Sequence, residues 1–468
     1  MSRIWVGDTL RVEVIATNPD GVRVSTPTGI VWSTSEHSVA TVDGGLITGV
    51  GLGNALIVAS RSVDSWADTV RIAAVPAEEA RALWVNRFEY GANLGSGAGS
   101  ARIATIMENA ARAGFNLIYF QVRGQGDAYY RSNLEPCAVS LCGSLGNGHP
   151  SWDPLEIAIG EAHRRGLQIH AWVNAFSAWA SPSSNTASYC ALLQSSRDGF
   201  PDHMLLDHPE WAVVSADGTI STCANSQAYE YAYVSPGIPG VRAHLARVAA
   251  DLARRYAVDG VHLDRIRYPG SLLSYDAPSI QGFGRTAPST DPDWIQWRRD
   301  AVSLAVREVR DSLASVRGAV VLSAAVWPIY QDRWGWNSSQ GYSQYFQDPG
   351  AWATAGVLDV AVPMTYPPTQ SSSNFNITQA YCAYTDWACL LDDHIARIQN
   401  GAGRHLYIGI GANRGRAEVE RQLLYARSKG AKGVSIYALT AVERDNLWDA
   451  LGNGVFRIPA RVPTMPRK

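Results

Sequence analysis

Carboxylates that close apolar runs are the first chemistry this sequence offers. In DGVHLDRIRYP, residues 259–269, Asp264 ends a short apolar run and is followed by Arg267 and Tyr268. Strand alternation would put His262 and Asp264 on one side and Val261 and Leu263 on the other. Glu89 in RFEY and Asp127 in RGQGD also follow apolar runs, and Asp332 lies farther out in a Trp-rich loop. Hydrolysis of a glycosidic bond needs two carboxyl groups, about 5 Å apart for retention and farther apart for inversion. Asp264 is therefore the expected catalytic carboxylate, with Asp127 or Glu89 as its partner and Arg267 as the cation that favours its charged form. Each acid has a structural alternative. Asp264 could pair with Arg265 or Arg267, Asp127 could close a local Asx turn, and Glu89 could pair with Arg87 or Arg123.

From residue 81 onward, apolar runs of strand length alternate with amphipathic helical stretches. RALWVNR, FNLIYFQV, LQIHAWVN, VDGVHLD, AVVLSAAV, VLDVAVPMTY, HLYIGIG and GVSIYAL are the strands of eight such units. Continuous apolar runs suit buried parallel strands, and eight repeats over about 370 residues predict an α/β fold, a (β/α)₈ TIM barrel. A doubly wound open sheet is the alternative, disfavoured because FEYGANLGSGAGS contains no G-x-G-x-x-G opening a helix.

Active sites of such barrels lie where the strands end. Those ends supply candidate substrate-binding residues: Arg87; Gln121 and Arg123; His170, Trp172 and Asn174; His262, Arg267 and Tyr268; Trp327; Tyr366; Asn413; and Tyr437. Polar groups gather on strands one to four, aromatics and amides on five to eight, which suggests a groove with a reactive wall and a stacking wall. Asp359, in VLDVAVP, falls near the start of strand six and is expected to be structural. No strand carries two histidines and a carboxylate at ligand spacing, and no G-x-S-x-G elbow occurs, so neither a metal centre nor a serine nucleophile is expected. No organic cofactor is implied.

Composition narrows the partners. A formal net charge of −2 without like-charge runs gives no footprint for nucleic acid, and no stretch approaches the roughly 18 apolar residues of a membrane span. The 16 Trp and 20 Tyr crowd into loops such as DRWGWNSSQGYSQYF, where flat rings can meet sugar faces. Six cysteines allow three loop disulfides, Cys137–Cys142, Cys382–Cys389 and, by elimination, Cys190–Cys223. That predicts an oxidising compartment, secreted or cell-envelope, although MSRIWVGDTL has no apolar leader. The chain is expected to be a form from which the signal peptide is absent.

Residues 1–75 differ from the rest, with short alternating runs (LRVEVIA, GIVWSTS, SVATVD, LITGV, ALIVAS, DTVRIAAV) between Gly, Asn and Asp. They predict a small all-β sandwich. VWSTSEHSVATVDGGLITGVGLGNALIVAS resembles the bacterial immunoglobulin-like group 2 domain. The expected division is 1–75 Ig-like, 76–80 linker, 81–455 barrel and 456–468 tail.

The barrel segment resembles the glycosyl-hydrolase-like family 10 proteins of bacterial envelopes. FNLIYFQVRGQGDAYYRSNLEP, HPSWDPLEIAIGEAHRRGLQIHAWVN, YVSPGIPGVRAHL, RRYAVDGVHLDRIRYP, WRRDAV and LDVAVPMTYP occur in family order. The family's Q-V-R-x-x-G-D-A-x-Y falls on Gln121, Val122, Arg123, Gly126, Asp127, Ala128 and Tyr130, and H-A-W-x-N on His170, Ala171, Trp172 and Asn174. Its D-G-I-H-x-D falls on Asp259, Gly260, Val261, His262 and Asp264, while Arg265 stands where many relatives carry a second Asp. The resemblance implies a (β/α)₈ barrel, export, and hydrolysis of an envelope or extracellular polysaccharide, with peptidoglycan glycan strands as one substrate class. The departure at residue 265 shifts the partner acid to Asp127 or Glu89. The competing expectations are a noncatalytic glycan-binding or adhesion protein, and a surface protein that self-associates through its Ig-like domain.

Overall fold

The computed structural model describes residues 2–25, 27–63, 66–75, 77–195, 197–370 and 382–466. The chain divides into two compact units, Met1–Glu79 with Val455–Arg461, and Ala80–Gly454 with Val462–Lys468.

In the first unit a four-stranded sheet runs in the order Ser2–Trp5, Trp66–Val75, Gly53–Arg61, Val31–Thr34, and a three-stranded sheet in the order Thr9–Arg11, Leu46–Gly49, Ala40–Asp43. Alternation along Gly53–Arg61 buries Ala55, Ile57 and Ala59. Of these, Ala55 and Ile57 join Ile4 and Ile72 of their own sheet and Ile47 of the other in one apolar core, the arrangement expected of two sheets hydrophobic on their inner faces. Two expected boundaries change. Ala77–Glu78, within the expected linker, is a strand paired in parallel with Ala460–Arg461, within the expected tail. Backbone hydrogen bonding, which no side-chain pattern announces over two residues, makes that pairing.

The second unit is a closed parallel barrel of β1 (Ala80–Val85), β2 (Leu117–Arg123), β3 (Gln168–Asn174), β4 (Gly260–Asp264), β5 (Val321–Val326), β6 (Val360–Pro363), β7 (His405–Gly411) and β8 (Gly433–Tyr437). All eight coincide with the apolar runs. Every residue of β1, β2 and β7 is buried, as strands covered on both faces must be. Between them run α1 (Gly95–Arg112), α2 (Pro154–His163), α3 (Pro239–Arg255), α4 (Pro292–Val316), α5 (Pro349–Thr354), α6 (Trp387–His394) and α7 (Arg416–Ser428). Three of these start on an Asp-Pro pair, at Asp153, Asp291 and Asp348, where the carboxylate accepts first-turn N–H groups and proline takes the first helical position. Trp84, Tyr119, Trp172 and Tyr407 fill the interior, opposite small residues such as Ala80, Ala82 and Ala325.

The longest departure from a plain barrel is the connection from β3 to α3. It carries a strand pair, Ser177–Trp179 with Ala232–Tyr233, and a 3₁₀ segment Cys223–Tyr229 closed by a capping box between Thr222 and Asn225. Disulfides join Cys190 to Cys223, Cys137 to Cys142 and Cys382 to Cys389. Among the described residues no helix is long and apolar enough to cross a membrane.

Candidate active site

Asp264 is the last residue of β4 and opens at the C-terminal mouth of the barrel. The Arg265 N–H donates to its Oδ1 at 2.6 Å, and Arg267 Nη1 stands 3.7 Å from the same oxygen. Oδ2 accepts no hydrogen bond among the described residues, and the side chain is 13% exposed. One oxygen is thus held while the other remains available. Arg267 is itself buried, over the Trp327 ring at 5.5 Å and the Tyr345 ring at 5.9 Å. Those rings lie 4.0 Å apart. A cation against two ring faces loses less on desolvation than a bare one.

Across the mouth, Tyr366 stacks on Tyr437 with centroids 4.8 Å apart, and Tyr437 meets the edge of Trp84 at 5.8 Å. Burial pushes both tyrosine hydroxyls up, and the Asp264 charge adds to it on each. Glu89 acts on the Tyr437 hydroxyl as well. Two carboxylates, one after β1 and one on β4, thus both raise the Tyr437 hydroxyl. Glu89 is firmly held. The Thr440 N–H and hydroxyl donate to Oε1 at 2.7 and 2.5 Å, and the Asn86 N–H donates to Oε2 at 2.7 Å. Burial raises its carboxyl above the ordinary glutamate value, against the lowering effect of those donors.

The other expected partner is placed differently. Asp127 is 1% exposed, and its Oδ1 accepts the Gly124 N–H at 3.3 Å and the Gln125 N–H at 3.0 Å. This is the local turn closure, so its carboxylate organises the loop after β2. Gly124 is needed there because a Cβ would come within 2.5 Å of Arg87 Nε. Asp332 also serves its own loop, accepting the Trp334 and Asn337 N–H groups. Asp359 precedes β6 at the N-terminal end, where it accepts the Leu322 N–H at 2.9 Å and pairs with Arg310.

Arg87, Gln121, Asn174 and Trp172 form one buried network across β1, β2 and β3. Arg87 donates to Gln121 Oε1 at 3.2 Å, Gln121 Nε2 to Asn174 Oδ1 at 3.3 Å, and Trp172 Nε1 to the same oxygen at 3.0 Å. Arg87 also reaches outward to the Tyr231 hydroxyl at 3.1 Å. Trp327 and Tyr366 are half-buried at the rim, and Asn413 is exposed on the short turn Ala412–Arg414 after β7.

Four expected substrate contacts lie in the interior instead. Arg123 is fully buried against Glu135, donating from Nη2 at 2.6 Å, while His244 of α3 contacts the same carboxylate at 2.9 Å. Burial opposes that charge, but Arg123 and His244 hold the Glu135 carboxyl well below its usual range. Tyr268 is buried with its hydroxyl on Ser274 at 2.7 Å. His170 and His262 lie inside the barrel, His262 with Nδ1 on Ser323 at 2.8 Å and its ring 4.1 Å from that of Tyr119. Burial lowers His170 to about 4 and His262 further, keeping both neutral. Two reasons account for the four: the inward side of a strand points into the packed barrel except at its last residue or two, which buries His170 and His262, whereas Arg123 and Tyr268 turn outward into the helix layer.

Glu230 and Tyr231, which pattern reading did not single out, gather beside Asp264 around Arg265, read from the sequence as a possible ion-pair partner of Asp264. Arg265 adopts left-handed backbone with φ 49°, donates to Tyr233 Oη at 2.9 Å and to Glu230 Oε2 at 2.6 Å, and covers the Tyr231 ring at 4.5 Å. Glu230, with φ 67°, follows the disulfide-bound 3₁₀ segment. Its segment has no strand or helix period, so only its neighbours in space identify it. Among the described residues no group of three or more His, Cys, Asp or Glu side chains could hold a metal ion.

The solved glycoside hydrolase domain of PgaB (BpsB) from Bordetella bronchiseptica is similar in fold, with TM-score 0.50, 14% identity, 80% of this chain and 98% of that one covered. The catalytic domain of β-amylase from Paenibacillus polymyxa gives TM-score 0.53 at 12% identity, covering 78% and 94%. At such identities the likeness concerns the fold alone. Glycosyl hydrolase DigH of Escherichia coli K12 is 27% identical over 290 residues, 59% of this chain and 60% of that protein. The chain thus spans under two thirds of that relative's length. Glycosyl hydrolase YngK of Bacillus subtilis 168 is 27% identical over 384 residues, 77% of this chain and 68% of that protein. The family model for glycosyl hydrolase-like 10 proteins matches residues 79–401, across β1 to α6 and every strand-end motif of the first half-barrel. The chain belongs to the glycosyl hydrolase-like 10 family.

Proposed function

We propose that this chain is an exported glycoside hydrolase acting on an envelope or extracellular polysaccharide, with peptidoglycan glycan strands the first substrate class to test. Asp264 and Glu89 are its two working carboxyls. The observation that carries this reading is Asp264 Oδ2, which takes no donor among the described residues at the barrel mouth while Oδ1 is fixed by the Arg265 N–H. Glu89, raised by burial, is the general acid. Its proton passes to the glycosidic oxygen as the bond from that oxygen to the anomeric carbon breaks. Asp264 either bonds to the anomeric carbon or takes a proton from a water that does; in the first case Glu89, now ionised, activates the second-step water. Tyr366 and Tyr437 offer ring faces to the sugar. The three disulfides fit the oxidising compartment that export would supply, and the N-terminal all-β unit serves as an Ig-like spacer.

A second reading, a glycan-binding protein without catalysis, draws on the three donors that already engage Glu89. Purified, peptide-stripped peptidoglycan glycan and a panel of exopolysaccharides separate the two. Wild-type protein should release oligosaccharides detectable by mass, and Asp264→Asn should release none while keeping its denaturation midpoint. Equal release by Asp264→Asn would overturn the assignment, and glycan retention without release by wild type would favour the binding reading.

A further inference from the structure

Outside the mouth, two separate exit loops place aromatic rings together at the surface. The loop after β5 begins at Trp327 and runs through DRWGWNSS. Asp332 is its hub, its two oxygens accepting the Trp334 N–H at 3.1 Å and the Asn337 N–H at 2.7 Å. Left-handed backbone at Gly335 and Asn337 lets the loop double back. The result sets the Trp334 and Trp336 rings in parallel, 4.3 Å apart and 18° from coplanar. The loop after β6 is stapled by Cys382–Cys389, and Tyr384 lies inside that staple. Asp386 caps α6 just beyond, and Trp387 anchors it by donating to the Gly409 carbonyl at 2.9 Å.

Tyr384 is the outcome of this construction, 62% exposed yet fixed from two sides. The Ser338 hydroxyl donates to its Oη at 2.9 Å, and Trp336 backs the ring at 6.2 Å, inclined by 65°. An exposed aromatic that merely lacked a core position would not need a disulfide loop and a neighbouring loop's hydrogen bond to hold it. Contiguous apolar surface, rather than a single exposed ring, is what marks a contact site, and here three rings from two loops adjoin. A rigid ring also recovers more of its contact energy than a mobile one, since less side-chain freedom is lost on binding.

We propose that Tyr384, buttressed by Trp336 and Trp334, is an accessory glycan subsite that stacks a pyranose ring of a polymer whose cleaved bond lies at Asp264. The inference rests on the hydrolase reading and adds that the substrate is a chain long enough to reach both places. Continuity argues for glycan as the occupant. The β5 loop that carries Trp334 and Trp336 also carries Trp327, which covers Arg267 beside Asp264.

The test compares a peptide-stripped peptidoglycan polymer with a tetrasaccharide prepared from it, on the full chain. Tyr384→Ala should lower kcat/KM on the polymer about tenfold, the effect of about 1.4 kcal/mol of lost stacking, and leave the tetrasaccharide rate unchanged. Tyr384→Trp, which keeps a ring, should restore the polymer rate. Equal rates for wild type and Tyr384→Ala on the polymer, or an equal fall on both substrates, would overturn the proposal. Retardation in gels containing the same polymer gives a readout independent of cleavage, so a chain that cuts nothing still tests the subsite. Loss of retardation in Tyr384→Ala supports it, and unchanged retardation refutes it. A concentration-dependent mass that Tyr384→Ala abolishes would assign the surface to self-association instead.

Discussion

The exits of β1–β4 and the exits of β5–β8 treat their side chains in opposite ways. On the first side, Arg87, Gln121, Trp172 and Asn174 bond to one another, and Arg123 turns away to Glu135. Most of that polar wall is therefore scaffold. On the second side, Trp327, Tyr366 and Tyr437 keep ring surface at the rim, with Tyr437 39% exposed. Buried polar groups must satisfy each other, whereas an aromatic ring can remain half in water at little cost. Polarity on one wall thus measures how much has been locked, while Asp264 at the strand end keeps Oδ2 without an internal donor among the described residues.

The sharpest way to break this contrast is to disable the one acid that bridges the two walls. Glu89→Gln keeps an acceptor for Thr440 but has no proton to give, so kcat should fall by about 10²–10⁴ with little change in KM. A fall below threefold, measured on any cleavable glycan, would return Glu89 to the scaffold. Next in size is Arg123→Met, which leaves Glu135 buried without its guanidinium. Loss of about 3–5 kcal/mol in urea unfolding is expected, and glycan KM should not change in protein that still folds. A normal unfolding midpoint with a raised KM would instead make Arg123 a substrate contact.

The interior of the barrel supplies a pH test. His170 is lowered by burial to about 4 from an ordinary 6.5, so between those values the unfolded chain binds the proton and the folded chain does not. Its contribution is fully present above pH 6.5 and is lost as pH falls towards 4, a loss of about 3 kcal/mol. Unfolding free energy measured across that window should drop more steeply for wild type than for His170→Gln, which cannot titrate. Identical slopes would mean that His170 is not held neutral. Smallest is Tyr437→Ala, which removes the ring stacked on Tyr366 and should raise KM about tenfold with kcat changed less. An unchanged KM would show that the aromatic wall does not touch the sugar.

Local periodicity made the barrel legible in advance. Each of the eight apolar runs became a strand, because a strand covered on both faces tolerates little else. Asp264 was legible for the same reason, as the first charge at the end of a buried run. The position of a strand end does not say which way the next side chains turn. Asp127 closed its own Gly-containing turn, Tyr268 sank onto Ser274, and His170 and His262 stayed one layer inside.

What this sequence determined by itself was a fold and one carboxylate at the exit of β4, since both follow from short-range pattern and chain order. Tertiary structure decided the partners. Glu89 meets Thr440 from the far end of the chain, Arg265 meets Glu230 of the β3 insertion, and Trp336 meets Tyr384 of another loop. Such neighbours are set by barrel closure and by loops without period, and closure is a property of all eight strands together.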